Sequence, residues 1–313
     1  MENILVSVII PTYKRAEFLQ RAINSVLAQT YKNVEILVVD DNGNGTPYRK
    51  ETEKFISKLY ADNDKIKYIK NENNIGGSYT RNRGAEESTG DYICFLDDDD
   101  IIAPKKIEDQ LKYMVENDLD LSFTDAKICN QDGHIVDVRD HSRYVKSLDN
   151  ESLLKYHLLY HLALTDSYMF KRDGFFRTGG FENRFASQEY MLMLNAIERN
   201  LKIGYLRGMY AIQYLHEGER ISSSRNRAKF DKDLYNIKKQ YFYILSNRER
   251  RFIRFRYHAA LLAYNIRRGR LINACAHGLA AFFISPVYFF RESGSMFLRV
   301  KRLNATGDGN GGL

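Results

Sequence analysis

Residues 92–104 read YICFLDDDDIIAP: a short apolar run, Tyr92 to Leu96, driven straight into four consecutive aspartates. An apolar run of strand length that does not alternate with polar residues belongs to a strand buried on both faces. Four carboxylates at its end repel one another unless a cation or hydrogen-bond donors compensate. One reading is a seat for Mg2+ or Mn2+, hard cations that use one or two carboxylates and take further oxygens from phosphate and water. The other is a solvated acidic turn, favoured electrostatically at the start of the next helix. Pro104 suits the first turn of that helix, whose buried face would carry Ile107, Leu111 and Met114.

Working outward, strand and helix signals alternate. Ile4 to Ile10 is a β-branched strand stopped by Pro11, and a helix follows with Phe18, Leu19, Ala22, Ile23, Val26 and Leu27 on one face. Val34 to Val39 is a second buried strand, ended by the turn Asp40-Asp41-Asn42-Gly43. A helix over Tyr48–Leu59, a strand over Ile66–Ile69 and a helix over Gly76–Ser88 come next, and Leu121–Phe123 is a further strand. This order predicts an α/β fold, a mostly parallel sheet flanked by helices on both faces. Ligands of such sheets bind outside the carboxyl ends of the strands. Thr12-Tyr13, Asp40-Asp41 and Asp97–Asp100 all fall at those ends.

The stretch from about 125 to 225 is less regular, with a Gly-rich turn at Thr178-Gly179-Gly180-Phe181 and a helix over Ser187–Arg199. From 226 the pattern is helical and basic, and the last ten residues, NATGDGNGGL, lack the apolar content of a core. The expected organisation is a catalytic domain over 1–225, a basic helical C-terminal extension over 226–303, and a disordered tail over 304–313.

Five ordered stretches resemble the family 2 glycosyltransferases, which have the GT-A nucleotide-diphospho-sugar transferase fold. They are VSVIIPTYKR at 6–15, VEILVVDDN at 34–42, the stretch from Asn73 to Pro104, GGFENRFASQEYMLML at 179–194, and YLHEGERIS at 214–222. The resemblance implies that Pro11, Thr12 and Tyr13 border the nucleotide base, Tyr13 by stacking. It implies that Asp41 accepts a hydrogen bond from the base, with Asp40 as a supporting carboxylate, and that Arg81 lies beside base and phosphates. Asp97-Asp98-Asp99 matches the family's Asp-x-Asp motif. Asp99 is then the direct ligand of Mn2+ or Mg2+, and Asp98 or Asp97 reaches the ribose or a metal-bound water. Glu189 occupies the position of the catalytic base, where the family commonly has aspartate; a helix-capping role near Ser187 is the alternative. His216 resembles a histidine that approaches the diphosphate or the metal. The implied activity is inverting transfer of a sugar from a nucleotide diphosphate, a uridine diphosphate by first choice, to a hydroxyl of a glycan or lipid-linked acceptor. Assembly of cell-surface polysaccharide is the implied setting.

Composition narrows the remaining classes. With 44% apolar and 28% charged residues in 313, the chain is an ordinary folded protein. Its three cysteines, Cys94, Cys129 and Cys275, are scattered and odd in number, which fits a reducing compartment. The opening MENILVSVII has no basic segment of a secretion signal. Between Arg248 and Arg302 stand twelve Lys/Arg against two acids, leaving the rest of the chain slightly acidic. Leu271 to Phe290 is mostly apolar, but Asn273, His277, Ser285 and Pro286 interrupt it and arginines flank both ends. Those features predict a packed or interfacial helix pair rather than a span. The expected location is cytoplasmic, peripheral at the inner face of the plasma membrane, on anionic lipid. No module for nucleic acid accompanies the charge.

No Gly-x-Gly-x-x-Gly follows the first strand, which argues against a dinucleotide oxidoreductase. PTYKR lacks the glycines of a nucleotidyltransferase loop, and the Asp-x-Asp stands on about the fourth strand rather than the first, unlike a phosphohydrolase. A sugar-nucleotide-binding protein without transfer activity would keep Asp41 and the acid run but lack a base, and Glu189 argues against it.

Overall fold

The apolar runs at 6–12, 34–40 and 92–95 become neighbouring strands of one sheet, almost wholly buried, which is why they read as continuous apolar stretches. The computed structural model describes residues 3–162, 164–183, 187–215 and 227–291. The chain divides into two compact units, 1–157 with 162–216 and 158–161 with 217–313.

The first unit runs β1 (Val6–Thr12), α1 (Ala16–Leu27), β2 (Val34–Asp40), α2 (Pro47–Tyr60), β3 (Ile66–Lys70), α3 (Gly77–Glu87) and β4 (Tyr92–Phe95). It continues with β5 (Ile101–Ile102), α4 (Lys106–Glu116), β6 (Leu121–Cys129), β7 (Ile135–Arg139) and α5 (Asn150–Tyr160), whose last turn falls in the second unit. Then come β8 (Met169–Lys171), α6 (Arg172–Thr178), α7 (Gln188–Glu198) and β9 (Ile203–Tyr214). The sheet order is β3-β2-β1-β4-β8-β6-β9-β5, with β7 beside β6. Strands β1 to β4 pair in parallel, as do β6 and β9, while β8 enters antiparallel between β4 and β6.

Period-two alternation sends Val8 and Ile10 to one face and Ile9 to the other. The first face packs on α1, α2 and α4 through Leu19, Ile23, Ile56, Ile107 and Leu111. The second packs on α3, α6 and α7 through Ala85, Phe175, Leu192 and Met193. Helix α3 lies close on the sheet at Gly84, where a Cβ would come 2.4 Å from Ile9 Cγ2.

Two local expectations need correction. Pro11 does not stop the first strand; β1 continues through it to Thr12 in register with Val39 and Asp40. Ile9 C=O accepts from Leu96 N–H on the β4 side, and Thr12 C=O accepts from Asp41 N–H on the β2 side. Strand parity therefore turns Pro11 toward β4, whose pairing has already ended at Ile9 with Phe95, so its missing N–H breaks no ladder bond. Pro104 precedes the N-cap Lys105 of α4 instead of occupying its first turn, and its carbonyl accepts from Thr30 N–H.

In the second unit are α8 (Arg227–Gln240), α9 (Asn247–Arg267) and α10 (Leu271–Ile284). Ser246 and Glu249 form a capping box that starts α9. Tyr235 of α8 stacks on Tyr257 of α9 at 4.3 Å. Ala274 and Ala281, buried on one side of α10, let it pack closely along α9. After Ser285 the chain is helical again over 286–291. Among the described residues no helix is long and apolar enough to cross a membrane. The 304–313 tail lies outside the described residues.

Candidate active site

Every parallel strand from β1 to β4 points its carboxyl end to the same edge, so the turns after Thr12, Asp40 and Phe95 meet there. At that edge Asp40 is spent on structure. Its side chain is fully buried, accepts from Arg49 Nε at 3.0 Å and from Asn42 N–H at 2.8 Å, and takes the Tyr68 hydroxyl as well. Burial and the Asp40 carboxylate push the Tyr68 hydroxyl's pKa up. Asp41 performs a different task. Its oxygens accept from Ile75 N–H and Gly76 N–H, both at 2.9 Å, and from Asn71 Nδ2 at 2.7 Å. These bonds fix the loop that opens α3, and Gly76 at φ 85° supplies the backbone conformation they need. Tyr13 and Tyr48, each 42% exposed, flank the Lys14 ammonium, which lies 4.9 and 5.0 Å from the two ring centres. Two partly exposed aromatic rings beside a buried carboxylate suit a flat, hydrogen-bonding ligand.

The acid run folds into a turn in which Asp100 N–H donates to Asp97 C=O at 3.1 Å. Its four carboxylates take different partners. Asp97 pairs with Arg81, Asp98 and Asp99 meet Arg15 at 3.4 and 2.7 Å, and Asp100 accepts from Tyr214 N–H at 2.7 Å. Arg21, stacked 3.7 Å from the Tyr214 ring centre, donates to the Asp99 carbonyl. Asp166 completes the group; its fully buried carboxylate accepts from Asp97 N–H at 2.9 Å and from Gln213 Nε2 at 3.0 Å. Carboxylate oxygens of Asp97, Asp100 and Asp166 lie within 4.8 Å of one another.

Charge is under-compensated here. Burial, then the neighbouring Asp99, push Asp98 up to about 7 despite Arg15. Thr12, whose hydroxyl is buried with no well-formed hydrogen bond, lies close enough to favour the charged form of Asp98. Burial and Asp97 push Asp166 up to about 6, and burial with Asp166 raises Asp100 well above the ordinary range. An all-oxygen donor set, two of its three carboxylates buried and the group short of positive charge, has the chemistry of a hard divalent cation seat.

Arg81 links this cluster to α7. Burial works against its charge, but Asp97, Asp166 and Glu189 hold it. Its guanidinium pairs with Asp97 and donates to Gln188 Oε1 at 3.2 Å, one residue before Glu189. Glu189 thus stands in the first turn of α7, beside the acid run's counter-ion, and its carbonyl accepts from Tyr168 at 3.1 Å. Ser187 makes no side-chain cap at this helix start. The structure therefore gathers Thr12, Tyr13, Asp41, Arg81, Asp97, Asp98, Asp99 and Glu189 along one edge, with Pro11 in the strand behind. His216, and with it most of the 214–222 stretch, lies outside the described residues.

Sequence reasoning missed Asp166, Arg15 and Gln213. Asp166 stands alone in LTDSYMF with no motif around it. Its signal was topological: β8 runs antiparallel to β4, so the residues just before β8 return to the edge where β4 ends.

Comparison with known proteins places these features in a lineage. Residues 7–179 match the model of glycosyl transferase family 2. An uncharacterized glycosyltransferase of Methanocaldococcus jannaschii is 32% identical over 204 residues, covering 64% of this chain and 68% of that protein. TuaG of Bacillus subtilis, a glycosyltransferase named for teichuronic acid biosynthesis, is 32% identical over 151 residues, 48% of this chain and 57% of TuaG. Other relatives, from Rickettsia conorii and Rickettsia felis, are matched over only 21% of their own length. Among solved structures, Staphylococcus aureus TarS 1–349 with UDP-GlcNAc superposes at TM-score 0.56 and 17% identity, covering 89% of this chain and 91% of TarS 1–349. The Pyrobaculum calidifontis mannosyltransferase PcManGT with GDP-Man and Mn2+ gives TM-score 0.56 at 14% identity, covering 97% and 87%. The two structural likenesses share the fold, and the sequence match spans more than half the chain, including the whole acid run: this chain belongs to glycosyl transferase family 2.

Proposed function

We propose that the chain is an inverting, metal-dependent glycosyltransferase. It moves a sugar from a nucleotide diphosphate, by first choice a uridine diphosphate, to a hydroxyl of a glycan or lipid-linked acceptor. The setting is cell-surface polysaccharide synthesis at the inner face of the plasma membrane. The observation that carries the reading is the convergence of Asp97, Asp100 and Asp166 beside Arg81, which also donates to Gln188, the residue before Glu189. TuaG's name supports the polysaccharide setting, the UDP-GlcNAc bound to TarS supports the donor class, and the Mn2+ bound to PcManGT supports metal use.

The roles follow from chemistry. Asp41 keeps acceptor capacity for a base N–H while it holds the 71–76 loop, and Tyr13 offers its exposed ring for stacking. Arg81, a cation beside the acid cluster, is the residue proposed to meet a diphosphate's charge. Asp97 and Asp99, with Asp100 and Asp166 from the converging cluster, are the residues that would hold Mn2+ or Mg2+, and His216 is a further proposed ligand. When bound, such a cation neutralises the charge that grows on a departing nucleoside diphosphate. Asp98 is the residue proposed to reach the ribose. Glu189 takes the proton from the attacking acceptor hydroxyl. A single base opposite the leaving group gives inversion at the anomeric carbon.

The test is release of nucleoside diphosphate across a panel of sugar donors, with Glu189→Gln as control. Turnover with one donor, lost in the control, supports the reading. A panel without turnover at any donor, or a fully active control, rejects it.

A further inference from the structure

The outward face of α10 exposes apolar surface that water does not favour. Ile272 is 87% exposed, Phe283 77% and Leu279 59%, and on the helical turn that follows Val287 is 75% and Phe290 68% exposed. Positions 272, 279 and 283 share one side of the helix, while Ala274 and Ala281, buried, occupy the other. Helix α10 has no charged face: LINACAHGLAAFFI contains no Asp, Glu, Lys or Arg, and only Asn273 and His277 are strongly polar. The charge stands at its ends. Exposed Arg267, Arg268 and Arg270 precede it and exposed Arg291 follows the continuing turn. Between Arg250 and Arg291 there is no acid at all.

Those facts select the occupant. Fourteen residues of helix reach about 21 Å, short of the roughly 30 Å hydrocarbon core, so the segment lies along a bilayer rather than through it. A second copy docked on this face would bring the arginine-rich ends together with only Glu292, next to Arg291 in the sequence, to set against four arginines, a like-charge cost. An anionic leaflet accepts both parts, the apolar side chains among the acyl chains and the guanidinium groups on lipid phosphates. We propose that the outward face of α10 and residues 286–291 lies in the plane of an anionic leaflet, Ile272, Leu279, Phe283 and Val287 inserted and the four flanking arginines on headgroups. This rests on the reading that the enzyme works at a membrane and assigns the surface that holds it there.

Flotation of the full chain tests it, with vesicles of phosphatidylcholine alone or mixed with phosphatidylglycerol. The chain is expected to float with the mixed vesicles and to lose that association as salt rises. Phe283→Asp and Leu279→Asp, at exposed positions, are each expected to weaken it by about tenfold or more, the worth of one large apolar side chain. Replacing Arg267, Arg268 and Arg270 by Gln should cost about fivefold each on the anionic vesicles only. Circular dichroism matching the parent chain shows that the variants fold. Equal flotation of parent and aspartate variants overturns the assigned face and leaves the membrane reading standing. Failure of the parent chain to float with either vesicle overturns the membrane reading as well. Sedimentation as a dimer that Phe283→Asp dissolves, without flotation, assigns the face to a second copy and also overturns the proposal.

Discussion

Arg15 and Glu189 carry opposite halves of the residue-level account. Arg15 donates to Asp99 at 2.7 Å and approaches Asp98 at 3.4 Å, so its guanidinium is the resident positive charge for two of the clustered acids. Arg15→Gln would leave those carboxylates less compensated. We expect a Tm lowered by a few degrees in chelator and a larger gain on adding Mn2+ than the parent shows, read by differential scanning calorimetry. An unchanged Tm in both conditions would show that Arg15 is not their counter-ion. Glu189→Gln keeps size and hydrogen bonding but cannot take a proton. Turnover should fall by about 10²–10⁴-fold while affinity for the nucleoside diphosphate is retained. Near-normal turnover would place the base elsewhere. At this scale the sequence was legible where residues sit in ordered motifs, as Asp41, Arg81 and the acid run do. Asp166 was not legible, because its contribution depends on the antiparallel insertion of β8 and not on its neighbours in the chain.

At the scale of elements, the strands buried on both faces were readable because nothing breaks their apolar runs. Strands β5 and β8, of two and three residues, are too short to show a period, and each exists only through its pairing with a longer strand. Pro11 misled for a related reason: whether proline ends a strand depends on which neighbour its missing N–H would face, and here that neighbour has ended. Helix α3 gives an element-level test. Gly84→Val would force side-chain atoms into Ile9 Cγ2, already 2.4 Å from the first added carbon. Overpacking of this kind costs about 1–3 kcal/mol and would lift α3, with Arg81, off the sheet. Urea denaturation should report the loss, and nucleotide affinity should fall with it. Full stability in that variant would mean that the approach of α3 is not close.

Across the whole molecule, acid stability offers a check away from the active site. Asp125 in β6 accepts from His141 N–H at 2.8 Å, Gly208 N–H at 3.0 Å and the Tyr205 hydroxyl at 2.7 Å. Although burial pulls the other way, the hydrogen bonds from His141, Tyr205 and Gly208 hold its carboxyl below the ordinary aspartate value. A native value below the unfolded one, about 3.9, stabilises the fold above that pH, and the contribution is lost as pH falls through the native value. The difference in urea midpoint between the parent and Asp125→Asn should therefore be wide near about pH 6 and close as the pH drops below about 4. A difference independent of pH would contradict the assignment.

The fold and the acid run meet in one place, and that place can be observed directly. A crystal grown with UDP and Mn2+, measured at the manganese absorption edge, should show an anomalous peak bounded by carboxylates of the 97–100 turn and Asp166, with the base toward Asp41 and Tyr13. Ordered nucleotide with no ion near those carboxylates, or an ion bound elsewhere, would contradict the account.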